Sequence, residues 1–407
     1  MRRAVFVFLL SVAAVVSRRP DVLFNAQFWA EDGKVWYADA FNLGVVEPLL
    51  SPVAGYFGTL PRLAAVLGLL LPIGIVPLLF NGIAIVFQVL PVQFLLSSRC
   101  REWGSFRARA LFGFLYLALP NSVEMHANIT NTQWRLALLA LMILFALPGR
   151  TALWNAFDVV VLTLSALSGP FIIFIAPIAF VLYRAERRSR WRLSLSLVSG
   201  IGAIVQAMAV LLTGRQDRVV QAIRGATPEL LVQILAKQVF LAALLGRRTI
   251  AGVSFDSGWG WIAAILAVCV GISIEIYVLL KAPLMWKAFI LFSFCILGVS
   301  LAFPMTKSPQ WPALLASGGV RYWFFPMLAF IASLVWMLQE RNPAVLRGTA
   351  LVLLLVMGFG IVQDWGHPRP VDFDFPAWVR KFSEQPPGTR LFIPINPAGW
   401  TMELMKR

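Results

Sequence analysis

Long apolar runs separated by short basic segments organise this chain. The stretches at 76–96, 193–212, 260–280 and 322–338 are nearly continuous in hydrophobic residues. Each is about the ~20 residues an α-helix needs to cross ~30 Å of hydrocarbon, and none shows the every-second-residue alternation of barrel strands. Read end to end, the pattern predicts an all-α, polytopic transmembrane bundle of about 11 spans, at 4–17, 76–97, 108–120, 134–147, 156–168, 170–183, 193–212, 259–280, 287–303, 320–339 and 347–363. Pro120, Pro148, Pro170, Pro304 and Pro343 fall at run ends, where a residue without an amide hydrogen stops a helix.

Composition removes the soluble alternatives. Of 407 residues, 59% are hydrophobic and 13% charged, far more apolar material than a soluble domain hides. A net charge of +16 would suit nucleic acid, but the basic residues are scattered between apolar runs and form no soluble basic face. They instead report topology. With a cytoplasmic N-terminus, the inner segments 1–3, 98–107, 148–155, 184–192, 281–287 and 340–347 hold Arg2, Arg3, Arg99, Arg101, Arg107, Arg150, Arg184, Arg187, Arg188, Arg190, Arg192, Lys281, Lys287, Arg341 and Arg347. Roughly one inner residue in three is then basic, against roughly one in nine outside, as the positive-inside rule requires. The opening segment also resembles a signal peptide, but no small-x-small site precedes Arg18-Arg19-Pro20, so an uncleaved first helix is expected. Cys100, Cys269 and Cys295 define no disulfide framework.

This topology puts a loop at 18–75, loops at 121–133, 213–258 and 304–319, and a tail from 364 on the outer face. Nearly all the acid follows, including Glu31, Asp32, Asp39, Glu124, Asp217, Asp256, Asp364 and Asp372, leaving Glu275 as the acid expected within the membrane. Outer acid suits an outer-leaflet enzyme better than an ion-coupled carrier, which keeps polar groups near the midplane. Glu275 reads either as functional or as paired with Lys281 at the inner end of its span. Apolar segments at 60–71 and 228–245 are expected as interfacial or re-entrant helices, and such helices beside a carboxylate suit a lipid-borne substrate.

The most distinctive outer sequence is Phe28-Trp29-Ala30-Glu31-Asp32-Gly33. With Gly55-Tyr56, Leu60-Pro61-Arg62 and the outer Gly319-Val320-Arg321-Tyr322, it resembles bacterial integral-membrane glycosyltransferases of the GT-C class. The resemblance implies a sugar carried on a polyprenyl phosphate or pyrophosphate, an Asp or Glu of the first outer loop as base or acceptor holder, and outer cations on the phosphate. The chain departs from many such proteins in having a small C-terminal tail rather than a large outer domain.

Glycosyl transfer from a phosphate-linked donor needs a base for the acceptor hydroxyl and fixed cations for the departing phosphate. Asp32 is the first choice as base because Gly33 follows it and leaves the backbone open to close approach, with Glu31 orienting it or holding the acceptor. The plainer alternative is a surface turn, or a salt bridge to Lys34. Arg62, Arg321 and Lys307 lie near outer span ends and read either as phosphate ligands or as snorkelling anchors, with Tyr56 and Tyr322 beside them. In the polar loop 121–133, Glu124, His126, Asn128 and Asn131 read as substrate contacts or as a polar cap. One His near one Glu falls short of a metal's three or four ligands, so no cofactor is expected, although the reading leaves room for a divalent ion.

The expected organisation is a membrane module at 1–363 and a small outer cap at 364–407, in which Trp400 is an interfacial aromatic or a sugar platform. No Walker, Rossmann or Gly-x-Ser-x-Gly pattern is present. The expected partners are the bilayer, a lipid-linked sugar donor and a glycan, lipid or protein acceptor, with no nucleic acid. The expected location is the inner membrane, with the C-terminus periplasmic or extracellular. A transporter or flippase of lipid-linked oligosaccharide, or a glycan polymerase or ligase, is the alternative.

Overall fold

The computed structural model describes residues 2–186, 189–213, 223–255, 258–316 and 318–407. Arg187 and Arg188 of the expected inner cluster, and Asp217 and Asp256 of the expected outer acids, lie outside the described residues. Each of the expected spans falls on a helix, but lengths differ from expectation. Among the described residues, 7 helices are long and apolar enough to cross a membrane: Ile73–Leu95, Arg190–Thr213, Pro228–Leu245, Gly258–Lys281, Leu284–Ala302, Val320–Met337 and Ala344–Asp364. Helices Arg2–Arg18, Phe106–Leu117, Thr132–Leu144, Ala152–Ala166 and Ile172–Ala185 are shorter. At 1.5 Å per residue, the 13 residues of Thr132–Leu144 reach only about 20 Å.

Burial explains how short helices coexist with long ones. Val320–Met337 is 94% buried and forms the axis of the bundle, whereas Gly258–Lys281 and Ala344–Asp364 are 28% and 22% buried and turn apolar side chains outward. Thr132–Leu144 packs near that axis, with every residue but Gln133 buried. A helix apolar all round belongs in a bundle interior, and one with an exposed apolar face needs lipid beside it.

The helix Pro228–Leu245 meets the length of a span yet returns to the face it leaves. Before it, the carbonyls of Ile223 and Arg224 accept from the amides of Gln310 and Trp311, both at 2.9 Å. After it, the amides of Arg247 and Arg248 donate to the Asp364 carboxylate at 2.6 and 3.1 Å. Segments 308–311 and 364 share one end of the bundle, because Val320–Met337 runs away from the first and Ala344–Asp364 runs back to the second. A π-turn at Leu235–Phe240 interrupts the helix between its two ties.

Glu275 does not pair with Lys281, which is exposed. It is buried and accepts from Ser333 Oγ of the axial helix at 3.0 Å. Nor is it the lone acid among the apolar helices. Asp158, in Ala152–Ala166, is fully buried and grips Arg99 through two 2.7 Å hydrogen bonds.

At that same end, where Ala344–Asp364 finishes, the tail and the first loop share a core. The helix Phe375–Ser383 and the antiparallel pair β1 (Arg390–Ile395) and β2 (Trp400–Met405), in register Arg390↔Met405 to Ile395↔Trp400, contribute Phe375, Ile393, Met402 and Leu404. The loop contributes Phe28, Trp36 and Tyr37, so the cap is continuous with the segment carrying Glu31 and Asp32. Phe28 stacks on Tyr37 and meets Phe80 and Phe375 edge-on, which fixes the approach to the acidic pair.

Candidate active site

The acidic pair is shaped by an unusual backbone. Asn396 bridges to Trp29, donating its amide to the Phe28 carbonyl at 3.2 Å and accepting the Ala30 amide. Ala30 then takes a left-handed φ of +47°, uncommon for a residue with a side chain, and the chain enters a π-helical turn at Asp32–Tyr37. Strained backbone of this kind persists only where its surroundings over-determine it. Here its effect is to send two consecutive carboxylates into different environments.

Asp32 goes inward. It is 1% exposed and accepts from the Ile129 amide at 3.1 Å, the Thr130 amide at 2.9 Å and the Thr130 hydroxyl at 2.6 Å. The same hydroxyl accepts from Trp36 Nε1 at 2.9 Å, which points its own hydrogen at Asp32. Asp32 therefore anchors the polar loop. Gly33 suits that anchoring, because a side chain there would meet Phe28 of the same loop and Ile395 of the cap. Burial pushes the Asp32 carboxyl up to about 7, with the hydrogen bonds from Thr130 and Ile129 working against that rise.

An amide in place of this carboxylate presents one NH2 group to donors that need an acceptor. Asp32→Asn is accordingly expected to lower stability by about 1–3 kcal/mol, read as a lower melting temperature in detergent. Because the folded carboxyl titrates near 7 rather than 3.8, the folded state holds the extra proton and its stability contribution declines as pH rises between those values. The wild-type advantage over Asp32→Asn shrinks across that window, and a growing advantage would contradict the burial argument.

Glu31 turns the other way. It is half-buried, and among the described residues its carboxylate accepts no hydrogen bond and joins no ion pair. Its charge acts on Tyr56, whose phenol is pushed up chiefly by burial while a hydrogen bond from Gln133 Nε2, at 3.3 Å, opposes the rise. Arg321 and Tyr322 belong to the same electrostatic neighbourhood. Arg321 pairs with Glu124 and donates its amide to the same carboxylate at 3.1 Å. Its Nη2 reaches Tyr322 Oη at 3.3 Å, and its guanidinium lies 4.8 Å from that ring. Glu124, Arg321 and Tyr322 thus form one cluster from two separate segments, and Glu31 and Tyr56 of the first loop lie within its electrostatic reach.

The other expected cations do not join them. Arg62 is buried, ion-paired with Asp39 at 2.8 Å and stacked 4.8 Å over Trp36, a brace inside the first loop. Lys307 is exposed. Lys34 makes no salt bridge to the acidic pair but lies 5.1 Å over Trp400, which covers that ring. Asn128 and Asn131 bond to each other and to the Glu124 carbonyl, holding the loop in shape. His126 sits two residues beyond Glu124 but meets His367, with ring centroids 4.6 Å apart. Among the described residues, no three His, Cys, Asp or Glu side chains cluster as a metal site.

Fold and site together fit an integral membrane protein with a polar, carboxylate-bearing cluster near a small cap. No family model matches the chain, and no curated protein matches it. Among solved structures it is similar to the crystal structure of the Archaeoglobus fulgidus oligosaccharyltransferase tethered to an acceptor peptide with an NVT sequon, at 13% identity and a TM-score of 0.40. The match covers 94% of this chain and 58% of that one, so the chain spans under two thirds of the length of its neighbour. A likeness this distant decides nothing about function.

Proposed function

We propose that the protein is a membrane glycosyltransferase that moves a hexosyl or pentosyl group from a polyprenyl-phosphate-type donor to a glycan, lipid or protein acceptor at the outer membrane face. The observation carrying this reading is Glu31, a half-buried carboxylate that takes no hydrogen bond or ion pair among the described residues and whose charge bears on Tyr56 and on Arg321. In this reading Glu31 takes the acceptor hydroxyl's proton as the oxygen attacks the sugar's anomeric carbon. The bond from that carbon to the phosphate oxygen breaks, and the phosphate leaves with the electron pair. Arg321 stabilises the developing phosphate charge while Glu124 and Tyr322 set its orientation. Asp32 is a positioning residue that holds loop 121–133 against the π-turn. The inner-membrane location, the cytoplasmic N-terminus and the absence of a required cofactor belong to this proposal.

The test is a turnover assay in nanodiscs, using labelled polyprenyl-phosphate hexose and pentose donors with candidate acceptors. Donor loss with release of polyprenyl phosphate is the expected result, and Arg321→Gln is expected to lower kcat/KM roughly 10–100-fold through a lost charge-assisted contact. Intact donor moved between leaflets of a proteoliposome, without cleavage, would replace the enzyme with a flippase. Ladders of growing product would make it a polymerase.

A further inference from the structure

The chain has two histidines, and they meet each other. His126 lies in the polar loop 121–133, while His367 belongs to the start of the tail, just beyond Ala344–Asp364. Their rings stand edge to face, with centroids 4.6 Å apart and planes at 63°. His126 is 2% exposed and His367 is partly buried. Among the described residues, neither ring nitrogen of His126 has a hydrogen-bond partner, nor has Nε2 of His367. A neutral ring packs there as a largely apolar body, whereas an imidazolium would lack both water and an acceptor.

The surroundings are cationic and fixed. Arg18 donates to the Leu117 and Leu119 carbonyls at 2.6 and 3.0 Å, and Arg19 to the Val123 carbonyl at 3.0 Å. Arg135 donates to the Met125 carbonyl at 2.6 Å and to the Tyr116 hydroxyl at 2.9 Å. Such neutral oxygens orient the guanidinia without cancelling their charge. The neighbouring acids are engaged elsewhere: Asp364 with the amides of Asn121, Arg247 and Arg248, Asp21 with Arg369 at 3.6 Å, and Glu124 with Arg321. Burial, aided by the charges of His367, Arg19, Arg18 and Arg135, holds His126 well below its ordinary 6.5. Burial with Arg18, Arg19, Arg248 and Arg247 does the same to His367.

We propose that His126 and His367 form a proton-operated latch between the polar loop and the tail: both rings are neutral while the tail is seated, and joint proton uptake releases it. Two imidazolium ions in contact among guanidinia repel one another and share no acceptor, so the charge is relieved by separating the two segments. The seated state excludes protons that a released tail accepts. Its stability is therefore full above 6.5 and declines as pH falls below that value. Asp32, which anchors the same loop through Ile129 and Thr130, works with the opposite sign. The inference concerns the seating of the tail and stands or falls without the transferase reading.

The test is hydrogen–deuterium exchange of the full chain in phosphatidylcholine nanodiscs. It is read at two tail amides, that of residue 367, which donates to the Arg18 carbonyl at 2.7 Å, and that of Val371, which donates to Asn396 Oδ1 at 2.9 Å. With rates corrected for the intrinsic pH dependence of exchange, protection is expected to fall roughly 100-fold from about pH 7.5 to about pH 5.5, because each released imidazole supplies about 10-fold. His126→Leu and His367→Leu should each keep a fall of about 10-fold, and the double variant should be flat. The axial helix Val320–Met337 should hold its protection throughout, which separates release of the tail from acid unfolding. A wild-type fall of about 10-fold or less, an equal fall in the double variant, or a loss shared by the axial helix would overturn the latch. A fall that persists in the double variant belongs to the Arg369–Asp21 and Asn25–Asp372 ties, which that variant retains. Where the leucine variants fail to fold, the wild-type slope decides alone: two protons support the latch, and one or none overturns it.

Discussion

Replacing Glu31 by glutamine is expected to lower sugar transfer roughly 10²–10⁴-fold, the usual worth of a positioned general base, while leaving the melting temperature unchanged. The stability half follows from the structure: the Glu31 carboxylate accepts no hydrogen bond among the described residues, so an isosteric amide orphans nothing. The activity half follows from what an amide lacks, a basic oxygen that can take a proton. Asp32→Asn should behave differently, losing stability and activity together because it loosens the Ile129–Thr130 anchor. The pair therefore separates a group that reacts from one that positions. Near-normal transfer by Glu31→Gln would remove it as the base. Full activity in the double variant would end the transferase mechanism and favour a transporter.

What the sequence made legible follows from periodicity and charge, and what it hid follows from pairing. The helices were visible because apolar runs and basic breaks are local signals. Their lengths were less so: Thr132–Leu144 reads as a short span, and its true setting beside a buried axial helix depends on neighbours far away in sequence. The acidic pair was found, but adjacency gave no means of telling inward from outward. That choice is made by Ala30's left-handed backbone and by the Thr130 hydroxyl nearly a hundred residues away. Gly33 leaves room for Phe28 and Ile395, neighbours that only the folded loop and cap bring together. Arg62 and Arg321 look alike as arginines near span ends, and only tertiary partners, Asp39 for one and Glu124 for the other, set a brace within the first loop apart from a link between two segments.

Asp158→Ala is expected to be the most destabilising single change in the bundle, by about 3–5 kcal/mol, since it strands a buried guanidinium. Both Asp158 oxygens accept from Arg99 at 2.7 Å, and Trp191 Nε1 donates to one of them at 3.0 Å. Arg99 also donates to the Leu147 carbonyl at 2.8 Å and lies 5.0 Å from the Trp154 ring. This network ties the segment after Ile73–Leu95 to Ala152–Ala166 and to the start of Arg190–Thr213, so its loss loosens three elements at once. Removing both charges with Arg99→Met and Asp158→Leu should recover much of the loss, because no uncompensated ion then remains in the interior. The check is the melting temperature of each variant in one detergent, completed as a double-mutant cycle. A double variant no more stable than Asp158→Ala would mean that the elements depend on the hydrogen bonds themselves, not on avoiding a buried unpaired charge.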